Sequence, residues 1–243
     1  MIFVKQYYPG INPSGYGYIV RKEGFFIYFI TLFVVSILPG ILWVWYFYKK
    51  DRFDPEPKYL IVRDFIWGIF AVFPASYLEA PFSNLLSPQA SLVTLLLSTI
   101  FIVGIIEEGA KSLVVYWFHY DHPEFNESLD GIIYGVTVGL GFAAFENLFY
   151  TMLYGYQVGI TRAVLTSLAH ASFTGIFGYY LGQAKLQDNK KLIIFGYILV
   201  SVLHGIYDFL IIGRLIGPLT TVGIIGILYL YLAGLIKKTS VES

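Results

Sequence analysis

The 243-residue sequence has no cysteine, which excludes disulfides, iron–sulfur clusters, thiolate zinc sites and a cysteine nucleophile together. Charge is scarce too. Only 13% of residues are Asp, Glu, Lys or Arg and the two signs cancel, about half the charged fraction of an ordinary soluble domain. No basic tract and no surface of interleaved aromatic and basic residues is present to follow a phosphate backbone, so nucleic acid is excluded as a partner. No HExxH helix and no GxSxG turn occurs, which removes the ordinary zinc-protease and serine-hydrolase signatures. Loops are short, no Ser- or Gly-rich linker interrupts the chain, and residues 1–243 read as one integral membrane unit without an extramembrane domain.

The bulk of the sequence is apolar instead. Hydrophobic residues make up 57%, with 21 Tyr, 21 Phe and 4 Trp, a composition suited to many helix ends at a membrane interface. Windows of roughly 20 residues with few charges fall at about 25–48, 65–85, 92–118, 131–155, 163–181, 192–212 and 215–236, predicting an all-α, polytopic transmembrane bundle of seven spans. Pro39 or Pro74 would make it eight by splitting a span. Residues 1–24 contain Pro9, Gly10, Pro13, Gly15 and Gly17 before any long apolar run; they predict an extramembrane or interfacial segment rather than a cleaved leader, with the bundle over 25–236. Ten basic residues, Lys49, Lys50, Arg52, Lys237 and Lys238 among them, fall on one side of such a bundle. Five fall on the other: Lys5, Arg21, Lys22, Arg162 and Arg214. That asymmetry places the C-terminus in the cytoplasm.

Ionisable residues inside spans cost at least about 2.5 kcal/mol each at mid-bilayer and therefore face the bundle interior. Here they occupy four consecutive spans. In Glu107-Glu108-Gly109-Ala110-Lys111 the first Glu and the Lys share a helix face and can pair, while Glu108 points about 100° away and is free to address water or substrate. His204 and Asp208 also stand four apart. His170 and Glu146 each lie within a span of their own. Two imidazoles with carboxylates nearby suit a zinc ion that keeps an open position for water, and a carboxylate beside that water serves as base. Hydrolysis is the chemistry expected. His119 and His122 sit in a polar stretch, His119-Tyr120-Asp121-His122-Pro123-Glu124, expected to be a solvated loop.

The order Glu107-Glu108-x-x-Lys111, Phe142-x-x-x-Glu146, His170, His204-x-x-x-Asp208 on successive spans resembles the PrsW-type intramembrane protease family, which is related to the CAAX prenyl proteases and bacterial self-immunity proteins. The charged stretch from Tyr48 to Pro57 and the segment Asp130 to Gly135 resemble the family's too, so the likeness covers about residues 40 to 215. The resemblance implies a multi-pass protein of a prokaryotic cell membrane that cleaves a membrane-anchored protein or peptide, an anti-sigma factor in members similar to PrsW. It implies Glu107, Glu108 and Lys111 as catalytic residues and Glu146, His170, His204 and Asp208 as ligands of a divalent metal such as zinc. A metal-free arrangement, in which one Glu activates water and the histidines bind the oxyanion, stays open on the same residues. A proton or ion pathway is the reading from another class, a transporter or channel, although the acidic motifs do not recur in the first half of the chain as paired repeats would require.

Overall fold

The computed structural model describes residues 22–51 and 54–242. The predicted surface segment 1–24, except its last three residues, lies outside the described residues, as do Lys5, Arg21 and Arg52 from the charge count. Among the described residues the secondary structure is helical throughout, with no strand. Seven long helices occur in order: α1 (Lys22–Tyr48), α2 (Lys58–Glu79), α3 (Leu92–His119), α4 (Ser128–Tyr154), α5 (Tyr156–Leu186), α6 (Lys191–Ile212) and α7 (Pro218–Glu242). Pro39 and Pro74 lie inside α1 and α2, which continue through them, so neither proline divides a span.

Local chemistry sets the ends. Pro57 precedes the first turn of α2, and Pro218 opens α7, where its missing N–H costs nothing. Ser91 caps α3 by accepting the Thr94 N–H, and Glu127 and Asp130 form a reciprocal capping box at the start of α4. Gly155, at φ +86°, is the whole connection between α4 and α5. Only glycine takes that backbone readily. The second span begins at Lys58 rather than 65, since Arg63 and Asp64, which interrupt its apolar run, belong to the helix, with Asp64 buried and paired to the partly exposed Arg63.

Among the described residues six helices are long and apolar enough to cross a membrane. The exception is α5, which at 31 residues is long enough but rich in Ser, Thr and Gly; most of it is buried among the other helices, so it has little need of a lipid-compatible surface. Packing is centred on α4, whose best apolar window is 78% buried, against 17% for α7. A stripe of small residues lets α4 and α5 touch backbone to backbone: a Cβ on Gly131 would strike the Gly178 carbonyl, and one on Gly139 would lie 2.6 Å from the His170 carbonyl oxygen. Gly104 and Gly205 bring α3 against α6 in the same way. Large apolar side chains such as Phe33, Trp45, Phe101, Leu219 and Ile227 cover the outside, as lipid contact requires.

At the basic end of the bundle a buried network ties α2, α3 and α4 together. The Tyr134 hydroxyl donates to Glu56, the Tyr134 ring stacks on His119 at 3.5 Å, and His119 Nε2 lies 2.7 Å from Asp64 Oδ2. Burial pushes the Glu56 carboxyl up to about 9. His119 is therefore no solvated loop residue. It is the fully buried last residue of α3, because that helix runs on to the Tyr120 boundary and Asp64 receives the imidazole.

Candidate active site

Glu107, Glu108 and Lys111 stand on α3 just after a π-helical stretch, Thr99–Gly104, in which the N–H of Ile105 reaches back five residues to Ile100. Such a turn holds one residue more than an α-turn and re-aims the side chains beyond it. Both carboxylates then face the interior. All three residues are buried. Lys111 Nζ lies 2.6 Å from Glu108 Oε1, 3.4 Å from Glu107 Oε2 and 3.1 Å from His170 Nδ1. The shorter ion pair is thus with Glu108, not with Glu107 alone as the four-residue spacing suggests. Glu108 has no exposed side-chain surface; its second oxygen accepts from Thr174 at 3.2 Å, and His204 Nδ1 stands 2.8 Å from Oε1. Glu107 is the member of the pair that lines a cavity.

These contacts fix tautomers. A carboxylate can only accept, so His204 Nδ1 carries a hydrogen and donates to Glu108, while Nε2 faces Glu107 Oε2 at 3.8 Å and Asp208 Oδ2 at 3.7 Å. An ammonium can only donate, so His170 Nδ1 accepts from Lys111 and Nε2–H donates to Glu146 Oε2 at 3.1 Å. The two imidazoles meet edge to face, with ring centroids 5.1 Å apart, while Phe173 stacks on His204 and Phe142 lies against both His170 and the Lys111 ammonium.

Two residues join the site that its sequence motifs do not include. Arg162, which reads from the sequence only as a loop cation, lies in the second turn of α5 and holds Glu146 at 2.9 Å. Glu79, at the end of α2, is buried and lines the cavity. The signal for Glu79 is its place inside the predicted second span, where any ionisable residue is suspect. Arg162 sits one residue outside the predicted fifth span and gives none.

The cavity has a volume of about 660 Å³ and its walls include Glu107, Glu146, His170, His204, Asp208 and Arg162 together with Tyr150, Tyr207 and Pro218. It lies toward the end of the bundle where α2, α4 and α6 finish and α5 and α7 begin. One ligand atom from each of Glu107, His170 and His204 falls within 4.8 Å of the others, and all three residues are buried. One carboxylate and two imidazoles are a donor set that a divalent transition metal takes, and the Glu108 acceptor behind His204 is the support such a ligand ordinarily has. The residues fit a metal in kind. His170 Nδ1 is the donor for which an ion would compete with Lys111.

Residues 56–235 match the model of a family described as PrsW family intramembrane metalloprotease. Among curated proteins, one named Protease PrsW from Geobacillus kaustophilus (strain HTA426) is 34% identical over 186 residues, covering 76% of this chain and 81% of that one. Proteins of the same name from Bacillus subtilis (strain 168) and Clostridioides difficile (strain 630) are 35% and 32% identical, covering 72% and 75% of this chain and 80% and 79% of their own. No solved structure matches.

Proposed function

The chain belongs to the PrsW family of intramembrane proteases, and on that premise we propose that it hydrolyses a peptide bond of a membrane-anchored protein at the inner wall of the cavity formed by α3, α5 and α6. The observation that carries this reading is the convergence of Glu107, His170 and His204 within 4.8 Å on the wall of a cavity of about 660 Å³.

Glu107, His170 and His204 would hold a divalent metal, zinc being the ion such donors suit, so that Glu107 joins the two histidines in place of the Glu146 and Asp208 that the resemblance implies beside them; Arg162 and His170 already engage Glu146. When bound, the metal polarises the scissile carbonyl and acidifies water. Asp208, on the cavity wall beside His204 Nε2, is placed to take the proton of the attacking water and return it to the departing amine nitrogen. Lys111 and Thr174 hold Glu108, which in turn orients His204, while Arg162 holds Glu146 and so orients His170. An anti-sigma factor is a substrate of suitable type, since it presents a single anchored chain to a cavity near one membrane face.

The test is purified protein in detergent with a membrane-anchored reporter. Glu107→Gln and His204→Ala are each expected to lower kcat/KM by about a hundredfold or more, the loss typical of removing one catalytic group. Activity lost to a chelator and restored by zinc supports the metal arrangement. Cleavage undiminished in both variants would overturn the assignment.

A further inference from the structure

The carboxyl groups around the cavity each have a basic side chain beside them, with one exception. Glu108 is matched by Lys111 and Glu146 by Arg162, and Glu107 and Asp208 flank His204. Glu79 has none of these. It is only 7% exposed, its Oε1 is sealed from solvent without a hydrogen-bond partner, and among the described residues no hydrogen bond or ion pair reaches its side chain. Arg214, the cavity's other cation, is exposed at the rim and makes no ion pair with it. A carboxyl group held this way is costly unless something completes it, since a buried charge lacking a partner forfeits its hydration without return.

We propose that Glu79 selects for a cationic side chain, a Lys or Arg of the membrane-anchored substrate positioned at the membrane border next to the scissile bond. The inference rests on the hydrolase reading above but concerns a different residue and a different step, recognition. Glu79 is the last residue of α2 and lies in the final turn of the apolar helical run Lys58–Phe82, close to the end of that span. That depth suits a long basic side chain, which extends from an apolar helix toward the interface. The cavity supplies the rest: four carboxylates line it, Glu79, Glu107, Glu146 and Asp208, against Arg162 and the rim's Arg214. A cation entering it meets an acidic surface in which Glu79 alone lacks an intramolecular partner. Basic residues are also the less common kind at the outer ends of spans. A carboxylate there distinguishes a minority of membrane proteins from the bulk.

Three single-span reporters differing at one border position, Lys, Gln or Glu, are presented to the full-length protein in detergent. Binding is read by fluorescence anisotropy and cleavage by kcat/KM. Wild type is expected to favour the Lys reporter over the Gln reporter by about tenfold or more in both affinity and kcat/KM, the range of one charge-assisted contact. In Glu79→Gln that ratio falls to about one, and in Glu79→Lys the Glu reporter becomes the preferred one. A wild-type ratio near one, a ratio unchanged in Glu79→Gln, or an equal loss for all three reporters would overturn the proposal. Charge-selective binding without cleavage would uphold Glu79 and sink the hydrolase reading, and cleavage without charge selection would do the reverse.

Discussion

The Lys111 ammonium has three acceptors within 3.4 Å, Glu108, Glu107 and His170, and so uses all three of its N–H groups in a site with no exposed surface of its own. Replacing it with a residue of similar length and no charge leaves two buried carboxylates without a cation. Lys111→Met is therefore expected to lower stability by about 3–5 kcal/mol, measured as a fall in thermal unfolding temperature in detergent. Adding Glu108→Gln should recover part of the loss, and a Lys111→Met protein as stable as wild type would contradict the pairing. The Glu107 to Lys111 spacing is legible in the sequence because a helix puts residues four apart on one face. The ion pair between Arg162 and Glu146 is not, because its partners lie on different helices and their distance depends on how α4 and α5 cross. His119 departs from its expected loop for the same reason: nothing local to it shows that Asp64, 55 positions earlier, receives its imidazole in the bundle.

Between α4 and α5, contact is made by absence of side chains. Gly131, Gly135 and Gly139 recur every four residues on one face of α4, opposite Gly178, Thr174 and His170 of the antiparallel α5. His170 is held at its depth by that register. Gly178→Ala, whose new Cβ would strike the Gly131 backbone rather than a movable side chain, is expected to cost about 1–3 kcal/mol. The same change at Gly223 on α7, where no atom lies within 4 Å, is expected to be neutral. Comparing the yield and thermal stability of the two variants checks this. The helices themselves are plain from apolar run length, since that property is local. Run length does not show which helix is central, and α5, the least apolar of the seven, is less apolar because other helices rather than lipid surround it.

Across the molecule the basic residues divide by end. Nine that the structure describes lie at or near the end where α1, α3 and α5 finish, and only Lys22, Arg162 and Arg214 toward the other, a division that predicts a cavity on the side away from the cytoplasm. The lack of native cysteine makes this simple to test. In intact cells, Asn84→Cys in the connection between α2 and α3 is expected to react with a membrane-impermeant maleimide, and Gln187→Cys between α5 and α6 only after lysis; the opposite pattern would invert the bundle. The π-helical stretch Thr99–Gly104 has a further consequence at this scale. Because it carries one residue beyond the number an α-helix would need, a single deletion there would close the wide turn to an ordinary α-turn and leave both Leu92–Ser98 and Glu107 to Lys111 on the faces they now occupy. The chain thus has a point at which its length can change by one residue while the face of α3 that carries Glu107, Glu108 and Lys111 stays as it is.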